Sequence, residues 1–149
     1  MLYELCLYLN NWFNYGQPKY LGRFVIENGV ISLVDGEMSI LPNQYYRIVG
    51  STFNDGVYKH SSEQLIDESF EGGVWLMAVP PDVVSLASEI AMWQQKYGGV
   101  DSNNMSPFNS ESFAGYSYSK SGGGSSSSAS SVPTWQGVYA DRLRRYKKL

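Results

Sequence analysis

The sequence predicts an α+β fold in which a small, curled antiparallel sheet or partial barrel follows an N-terminal helix and precedes a central amphipathic helix. A long extended arm and a C-terminal helix complete the chain. Three observations predict this arrangement: helical spacing of apolar residues in three segments, short strands with turn signals between residues 22 and 79, and a Ser- and Gly-rich stretch after residue 99. The chain has 149 residues, of which 43% are hydrophobic, so we expect a folded core rather than wholesale disorder.

The central helix, at residues 80–99, has the clearest boundaries. Pro81 suits the first helical turn, and Asp82 places a negative charge at the positive end of the helix dipole. Gly98 and Gly99 are expected to adopt the left-handed conformation that closes a helix. Between these boundaries, one apolar stripe recurs at helical spacing: Leu86, Ile90, Trp93 and Tyr97.

An N-terminal helix is predicted from apolar residues at helical spacing: Leu2, Leu5, Leu9 and Phe13. Cys6 lies on the same face. A core position is the preferred interpretation of Cys6, because the single histidine, His60, belongs to a different element and cannot activate the thiol. Gly16 and Pro18 end the helix.

A β-hairpin is predicted between residues 22 and 34, because Asn28-Gly29 is a strong signal for a two-residue turn. Such a turn fixes the register of three pairs: Glu27 with Val30, Ile26 with Ile31, and Phe24 with Leu33. The apolar members of these pairs then share one face of the hairpin, so turn chemistry and hydrophobic pattern agree.

Further strands are predicted at residues 45–49, 57–59 and 73–79, with a short strand at residues 64–66. The segment at 73–79 is almost wholly apolar and leads directly into the central helix. Five or six short strands between two helices favour a curled sheet that packs on those helices.

Residues 100–133 are dominated by Ser, Gly and Asn, and they end in the run SGGGSSSSASS. A segment of this composition cannot bury enough apolar surface to offset its own ordering entropy. Tyr116 and Tyr118 nevertheless alternate with serines, as in an extended strand. We therefore expect an arm held by a neighbouring chain, through a subunit interface formed by its aromatic residues: Phe108, Phe113, Tyr116 and Tyr118.

Residues 134–149 predict a basic C-terminal helix with Thr134 as its N-cap. Its apolar stripe consists of Trp135, Tyr139, Leu143 and Tyr146. Its C-terminal end carries Arg142, Arg144, Arg145, Lys147 and Lys148. The chain thus divides into an α+β core domain at residues 1–99, a Ser/Gly-rich extended arm at 100–133 and this helix at 134–149.

The net charge of −3 is the sum of two oppositely charged parts of the chain. Six basic and 14 acidic residues precede residue 142, which gives that part a net charge of −8, whereas the last eight residues carry +5. Such an asymmetry predicts a tail that meets an acidic partner, although a solvated helix end would show the same pattern.

No sequence pattern indicates catalytic or cofactor chemistry. A P-loop and a dinucleotide fingerprint are both absent, and one His and one Cys cannot supply a zinc site of the usual spacing. We therefore expect a protein that is not an enzyme and binds no cofactor or metal. There is no apolar run of about 18 residues and no basic segment before the first apolar run, so we also expect no membrane span, no signal peptide and an intracellular product.

Three stretches together resemble the head-to-tail connector (adaptor) proteins of long-tailed bacteriophages. They are the proline-started helix PPDVVSLASEIAMWQQKYGG, the later SESFAGYSYSKS at residues 110–121, and the terminal basic helix ending in YKKL. The segment RIVGSTFNDGVYK, at residues 47–59, is similar to small β-modules of phage particle proteins.

This resemblance implies a structural subunit of a homo-oligomeric ring, commonly of twelve copies, that joins the portal to the tail in the neck of the virion. Its partners would be the portal protein and the tail completion or tail tube proteins. The subunit would be made in the bacterial host cytoplasm, and DNA would pass through the ring without specific binding, since an acidic lumen repels phosphate. Connectors dock on the portal by their C-terminal ends, which implies a portal interface here of Trp135, Tyr139, Arg142, Leu143, Arg144, Arg145, Tyr146, Lys147 and Lys148.

The alternative interpretation is a small β-rich module that binds nucleic acid or peptide. Exposed Tyr and Trp side chains would stack on the ligand, and the basic tail would hold it electrostatically.

Overall fold

The structure is a computed structural model and describes residues 1–62, 64–98, 110–113, 116–119 and 133–149. The fold is α+β, as the sequence predicts. In chain order the elements are α1 (Leu2–Leu9), β1 (Lys19–Glu27), β2 (Val30–Leu33), β3 (Tyr45–Val49), β4 (Gly56–Lys59), β5 (Glu68–Met77), α2 (Pro81–Tyr97), β6 (Ser110–Phe113), β7 (Tyr116–Ser119), α3 (Trp135–Val138) and α4 (Ala140–Arg144).

Five strands form one curled antiparallel half-barrel sheet in the order β2-β1-β5-β3-β4. β5 is the central strand and pairs with β1 along one edge and with β3 along the other. Alternate residues of these strands are buried on one face, which we call the inner face: Phe24, Ile26, Tyr46, Ile48, Val74 and Leu76. The opposite, outer face includes Leu21, Arg47 and Trp75.

The predicted hairpin is confirmed, with the same register between β1 and β2. Asn28 and Gly29 both have positive φ, at 53° and 75°, which is the requirement of a type I′ turn. The Gly29 N–H donates to Asp67 Oδ1 at 3.3 Å, so the turn is also tied to the segment that precedes β5.

Three glycines lie together near the centre of the sheet and permit close approach of its strands. Gly72 of β5 pairs in register with Gly22 of β1. On its other side Gly72 meets the end of β3, where an added Cβ would overlap the Val49 carbonyl oxygen. Gly50, with φ of 90°, lies against the same backbone. The backbones can therefore come close here, where side chains would hold them apart.

The prediction of a strand at residues 64–66 was wrong. Instead of pairing in a ladder, the Ile66 backbone is held by one side chain: its N–H donates to Asn54 Oδ1 at 2.8 Å, and its carbonyl accepts from Asn54 Nδ2 at 2.9 Å. The Glu68 carboxylate accepts from the same Nδ2 at 2.7 Å and from the Ser51 hydroxyl. Burial raises the pKa of Glu68, but these hydrogen bonds outweigh it and hold that pKa below its usual range.

Several predicted boundaries also differ in the structure. The first helix ends at Leu9 and does not run on to Gly16 as predicted, because Asn10 adopts a left-handed conformation with φ of 50°. The strand predicted at 73–79 begins earlier, at Glu68, since β1 continues to pair with it there. Gly98 is right-handed, with φ of −80°, and its N–H continues the helical pattern to Gln94. Gly99 lies outside the described residues.

The C-terminal segment forms two short helices instead of one continuous helix. Thr134 is the N-cap of α3, as predicted, and its Oγ1 accepts from the Gly137 N–H at 3.4 Å. The helical path breaks at Tyr139, whose ψ is 10°, and resumes in α4.

A second hydrophobic core lies among the helices. It is formed by α1, α2, α3 and α4 together and includes Leu5, Leu9, Val83, Leu86, Ile90, Trp93, Trp135, Tyr139 and Leu143. The C-terminal segment therefore packs in one core with α1 and α2.

The turn of the first hairpin offers a test of this fold. We expect Gly29→Val to destabilise the protein by about 1–2 kcal/mol, because a β-branched residue resists the positive φ of this position. Gly29→Asn is the matched control and should cost much less, since Asn tolerates the left-handed region. Thermal unfolding measures both, and equal melting temperatures for the two variants would contradict the turn conformation.

Candidate interaction surfaces

The interior of the described chain offers little for catalysis. Cys6 is fully buried, and burial raises the pKa of its thiol to about 12, although the nearby charge of Arg47 acts in the opposite direction. No group of three His, Cys, Asp or Glu side chains within the described residues is arranged to hold a metal ion. The helices of the described ranges are all too short or too polar to cross a membrane.

Two open grooves, of about 600 and 430 Å³, lie on the surface. The first lies beside β2 and has Glu37 as the one charged residue of its lining. The second lies between Tyr45 and the start of α2, and its lining contains Lys59 as the one charged residue. Neither lining brings an acid and a base together.

The apolar stripe of the C-terminal segment faces the interior. Trp135, Tyr139 and Leu143 are exposed by only 8%, 1% and 2%, since they complete the helical core. These three side chains pack inside the chain, and the portal interface predicted at them stays a prediction.

Arg142 is also engaged within the chain. Its guanidinium donates to both carboxylate oxygens of Glu89 on α2, at 2.5 and 3.0 Å. The hydrogen bond from Arg142 lowers the pKa of Glu89, and the carboxylate in turn raises the pKa of Arg142. This paired geometry ties α4 to α2 and removes Arg142 from the charges available to a partner.

The last residues return to the end of α1. The Tyr146 carbonyl accepts from Asn11 Nδ2 and the Lys148 N–H donates to the Leu9 carbonyl, each at 2.9 Å. Lys147 Nζ lies 4.9 Å from the centroid of the Tyr8 ring. The backbone is thus fixed while the basic side chains stay exposed, and we call these the C-terminal basic patch: Arg144, Arg145, Lys147 and Lys148.

The predicted subunit-interface residues are described only in part. Phe108 lies outside the described residues. Phe113, Tyr116 and Tyr118 belong to β6 and β7, which pair as a separate two-stranded antiparallel sheet. The expected extended strand at Tyr116 and Tyr118 is confirmed, and the structure adds its partner strand.

The register of this hairpin places two kinds of residue at alternating positions of the ladder. Glu111 lies opposite Tyr118, and Phe113 lies opposite Tyr116, so these four residues occupy one face of the ladder. The other face carries the four serines at positions 110, 112, 117 and 119.

The sequence did not predict a cluster of side chains on the outer face of the sheet. Arg47 Cζ lies 3.6 Å from the centroid of the Trp12 ring and 5.2 Å from that of Trp75. Lys19 Nζ lies 4.9 Å from the Trp75 ring, and Leu21 nearby is 73% exposed. We call these five residues the outer patch. Strand alternation places Arg47 and Trp75 on the same face, but Trp12 comes from the irregular segment after α1, which no periodicity predicts.

Comparison with known proteins adds no relative to this picture. No family model, no curated protein and no solved structure matches the chain. The candidate surfaces therefore rest on the geometry of this chain alone.

The Arg142–Glu89 pair offers a test of how the C-terminal segment is held. We expect Arg142→Met to lower the stability at neutral pH by about 1 kcal/mol, as for a well-oriented surface ion pair. Arg144→Met, on the exposed side of the same helix, is the control and should have little effect.

The Arg142–Glu89 pair also predicts that the stability difference between wild type and Arg142→Met depends on pH. Because the folded pKa of Glu89 is lowered, its contribution is present above the unfolded pKa of about 4.3 and is lost as the pH falls through the folded value. The difference between wild type and Arg142→Met should therefore shrink in melts at about pH 3. A difference that stays constant with pH would show that the ion pair is not its cause.

Proposed function

We propose that this chain is a structural subunit of a bacteriophage head-to-tail connector ring, which joins the portal to the tail and extends the DNA channel. The choice of this assembly comes from the sequence resemblance. The observation that carries the structural role is the β6–β7 hairpin, which forms a two-stranded sheet separate from the five-stranded one. A two-stranded hairpin is at best marginally stable in water, so it needs cover from another surface.

The position of the hairpin in the chain fits an assembly role. It lies between α2 and α3, and both helices are packed into the helical core. The hairpin is thus inserted between two helices of one core, and each strand of a two-stranded sheet has an outer edge that can pair with another molecule. An element of this kind is typical of subunits that reach over a neighbour.

The C-terminal basic patch is the proposed contact with the portal. Arg142 is neutralised by Glu89, which leaves the exposed charges of Arg144, Arg145, Lys147 and Lys148 on the C-terminal segment. Like charges this close repel one another, and an acidic protein surface would relieve that repulsion. DNA phosphate would do so too, but it would retard DNA in a channel through which DNA must pass.

One observation favours the alternative of a nucleic-acid-binding module. The outer patch combines two tryptophans with Arg47 and Lys19, and stacked aromatics beside cations are typical of surfaces that bind single strands. The net charge of −3 argues against this alternative, because it repels the phosphate backbone at longer range.

The test uses heads that lack the connector. We expect the double variant Arg144→Glu and Arg145→Glu to fold normally and to fail to join these heads, because like charges would then face each other across the contact. The variant Arg23→Glu with Lys59→Glu has the same change in net charge away from the basic patch, and it should join normally. Charge reversal is preferred to deletion of residues 142–149, which would remove the buried Leu143.

Two results would contradict the proposal. Normal incorporation of the Arg144/Arg145 variant would remove the docking role of the basic patch. Loss of binding to DNA without any loss of binding to heads would move the assignment to the nucleic-acid module.

A further inference from the structure

Exposed apolar side chains gather at the end of the five-stranded sheet where β5 begins. Three connections meet there: the β1–β2 turn, the loop between β3 and β4, and the segment before β5. Val30, Phe53 and Ile66 lie on or beside these connections and are 66%, 63% and 56% exposed. We call this surface the acidic tip, and its members are Glu27, Val30, Phe53, Asp55, Ile66 and Asp67.

Hydrogen bonds hold the connections of the acidic tip in place. The Asn54 side chain binds both the N–H and the carbonyl of Ile66, at 2.8 and 2.9 Å. The Glu68 carboxylate accepts from the backbone N–H groups of Thr52 and Phe53. The exposed Phe53 and Ile66 are therefore carried on backbone that is already ordered, so a partner that covers them would lose little affinity to further ordering.

The charge of the acidic tip is negative. Glu27, Asp55 and Asp67 are all exposed. The three stretches that form the tip, residues 26–30, 51–56 and 64–68, contain no Lys or Arg. A matching surface must therefore place positive charge beside apolar side chains. Nucleic acid and anionic lipid do not match, because their phosphates would be repelled.

The outer patch has these complementary properties. Lys19 and Arg47 lie opposite Trp75 on its two sides, so the two cations are separated by two strand spacings, or about 10 Å. Leu21, two residues from Lys19 on the same face of β1, is 73% exposed. The absence of a side chain at Gly73 leaves Leu21 and Trp75 close together, since an added Cβ would lie 3.0 Å from Leu21 Cδ2 and 2.9 Å from Trp75 Nε1.

The acidic tip cannot reach the outer patch of its own chain. Glu68, at the tip, and Trp75, in the patch, belong to the same strand, and seven strand residues span about 23 Å. β1 pairs with β5 over this whole length, which keeps the strand extended. A tip that covers a patch must therefore come from another molecule.

We propose that the acidic tip of one copy docks on the outer patch of a second copy. Glu27 lies opposite the exposed Val30 and would meet Lys19 beside the exposed Leu21, while Phe53 covers the apolar surface at Trp75. This inference rests on the proposed function, which requires contacts between identical copies, and it names one such contact. The C-terminal basic patch takes no part in it and stays available to the portal.

The contact joins two different surfaces of the same protein. Each copy therefore keeps one unused tip or patch until the chain of contacts closes on itself. A head-to-tail contact whose rotation closes gives a ring, which is the architecture that the proposed function requires.

Charge reversal on each surface tests the contact with the full-length protein. We expect Lys19→Glu and Glu27→Lys each to weaken self-association in sedimentation experiments by on the order of tenfold, because each places like charges in contact. Both side chains are exposed, so both variants should fold like wild type. Lys96→Glu and Glu37→Lys reverse exposed charges outside the two surfaces, and these controls should associate like wild type.

Recovery of association identifies the pairing of the two surfaces. The combined variant with Lys19→Glu and Glu27→Lys should associate again. An equimolar mixture of the two single variants should do so too, because every contact between unlike copies then joins opposite charges. Phe53→Ser removes apolar surface without any change in charge and should also weaken association. Failure of both the combined variant and the mixture to recover would overturn the proposal.

Incorporation into heads is measured in parallel, so that the two proposals fail in different ways. Wild-type self-association in both single variants, or a wild type that stays monomeric at every concentration, would overturn this contact and leave the portal contact untouched. Charge-dependent self-association by a wild type that never joins heads would overturn the connector role and leave this contact intact. Loss of binding to single-stranded DNA in Lys19→Glu, with unchanged self-association, would assign the patch to nucleic acid instead.

Discussion

The packing of the two ends of the chain against each other is the interaction on which the rest of this structure depends. Leu5 and Leu9 of α1 share a buried core with Trp135, Tyr139 and Leu143 from the C-terminal segment, and α2 supplies the third side. Burial of one such side chain contributes about 1.5–3 kcal/mol, so this core is a large share of what holds the helices together. Because both ends pack in this core, α2 and α3 belong to the same core on either side of the segment that connects them.

In this arrangement, the residues that stabilise the fold differ from the residues that are exposed to a partner. The aromatic stripe of the C-terminal segment stabilises the body, and the basic side chains of the same segment face outward. In the same way, the inner face of the sheet carries a hydrophobic core of its own, whereas its outer face carries the Arg47 cluster. A substitution at a surface residue of either region can therefore change a contact with another molecule without removing a core side chain. Charge reversal at such a residue tests the contact without disturbing the core.

Local patterns predicted the parts of the fold in which one short segment determines the outcome. Asn28-Gly29 and the alternation around it were sufficient for the hairpin register, and Pro81 was sufficient for the start of α2. Predictions failed where distant groups compete with local preference. The Asn54 side chain replaces a strand ladder at Ile66, and Glu89 takes Arg142 away from the exposed basic residues. The outer patch could not be predicted, because Trp12 reaches it from an irregular segment.

Hydrogen exchange of the backbone amides at residues 110–119 tests the central claim most directly, which is that a neighbouring copy covers this hairpin. The full-length protein is measured at concentrations well below and well above its association midpoint. Fast exchange in the dilute protein and strong protection in the associated protein would support the claim, because a lone two-stranded hairpin opens readily. Equal protection at both concentrations would contradict it.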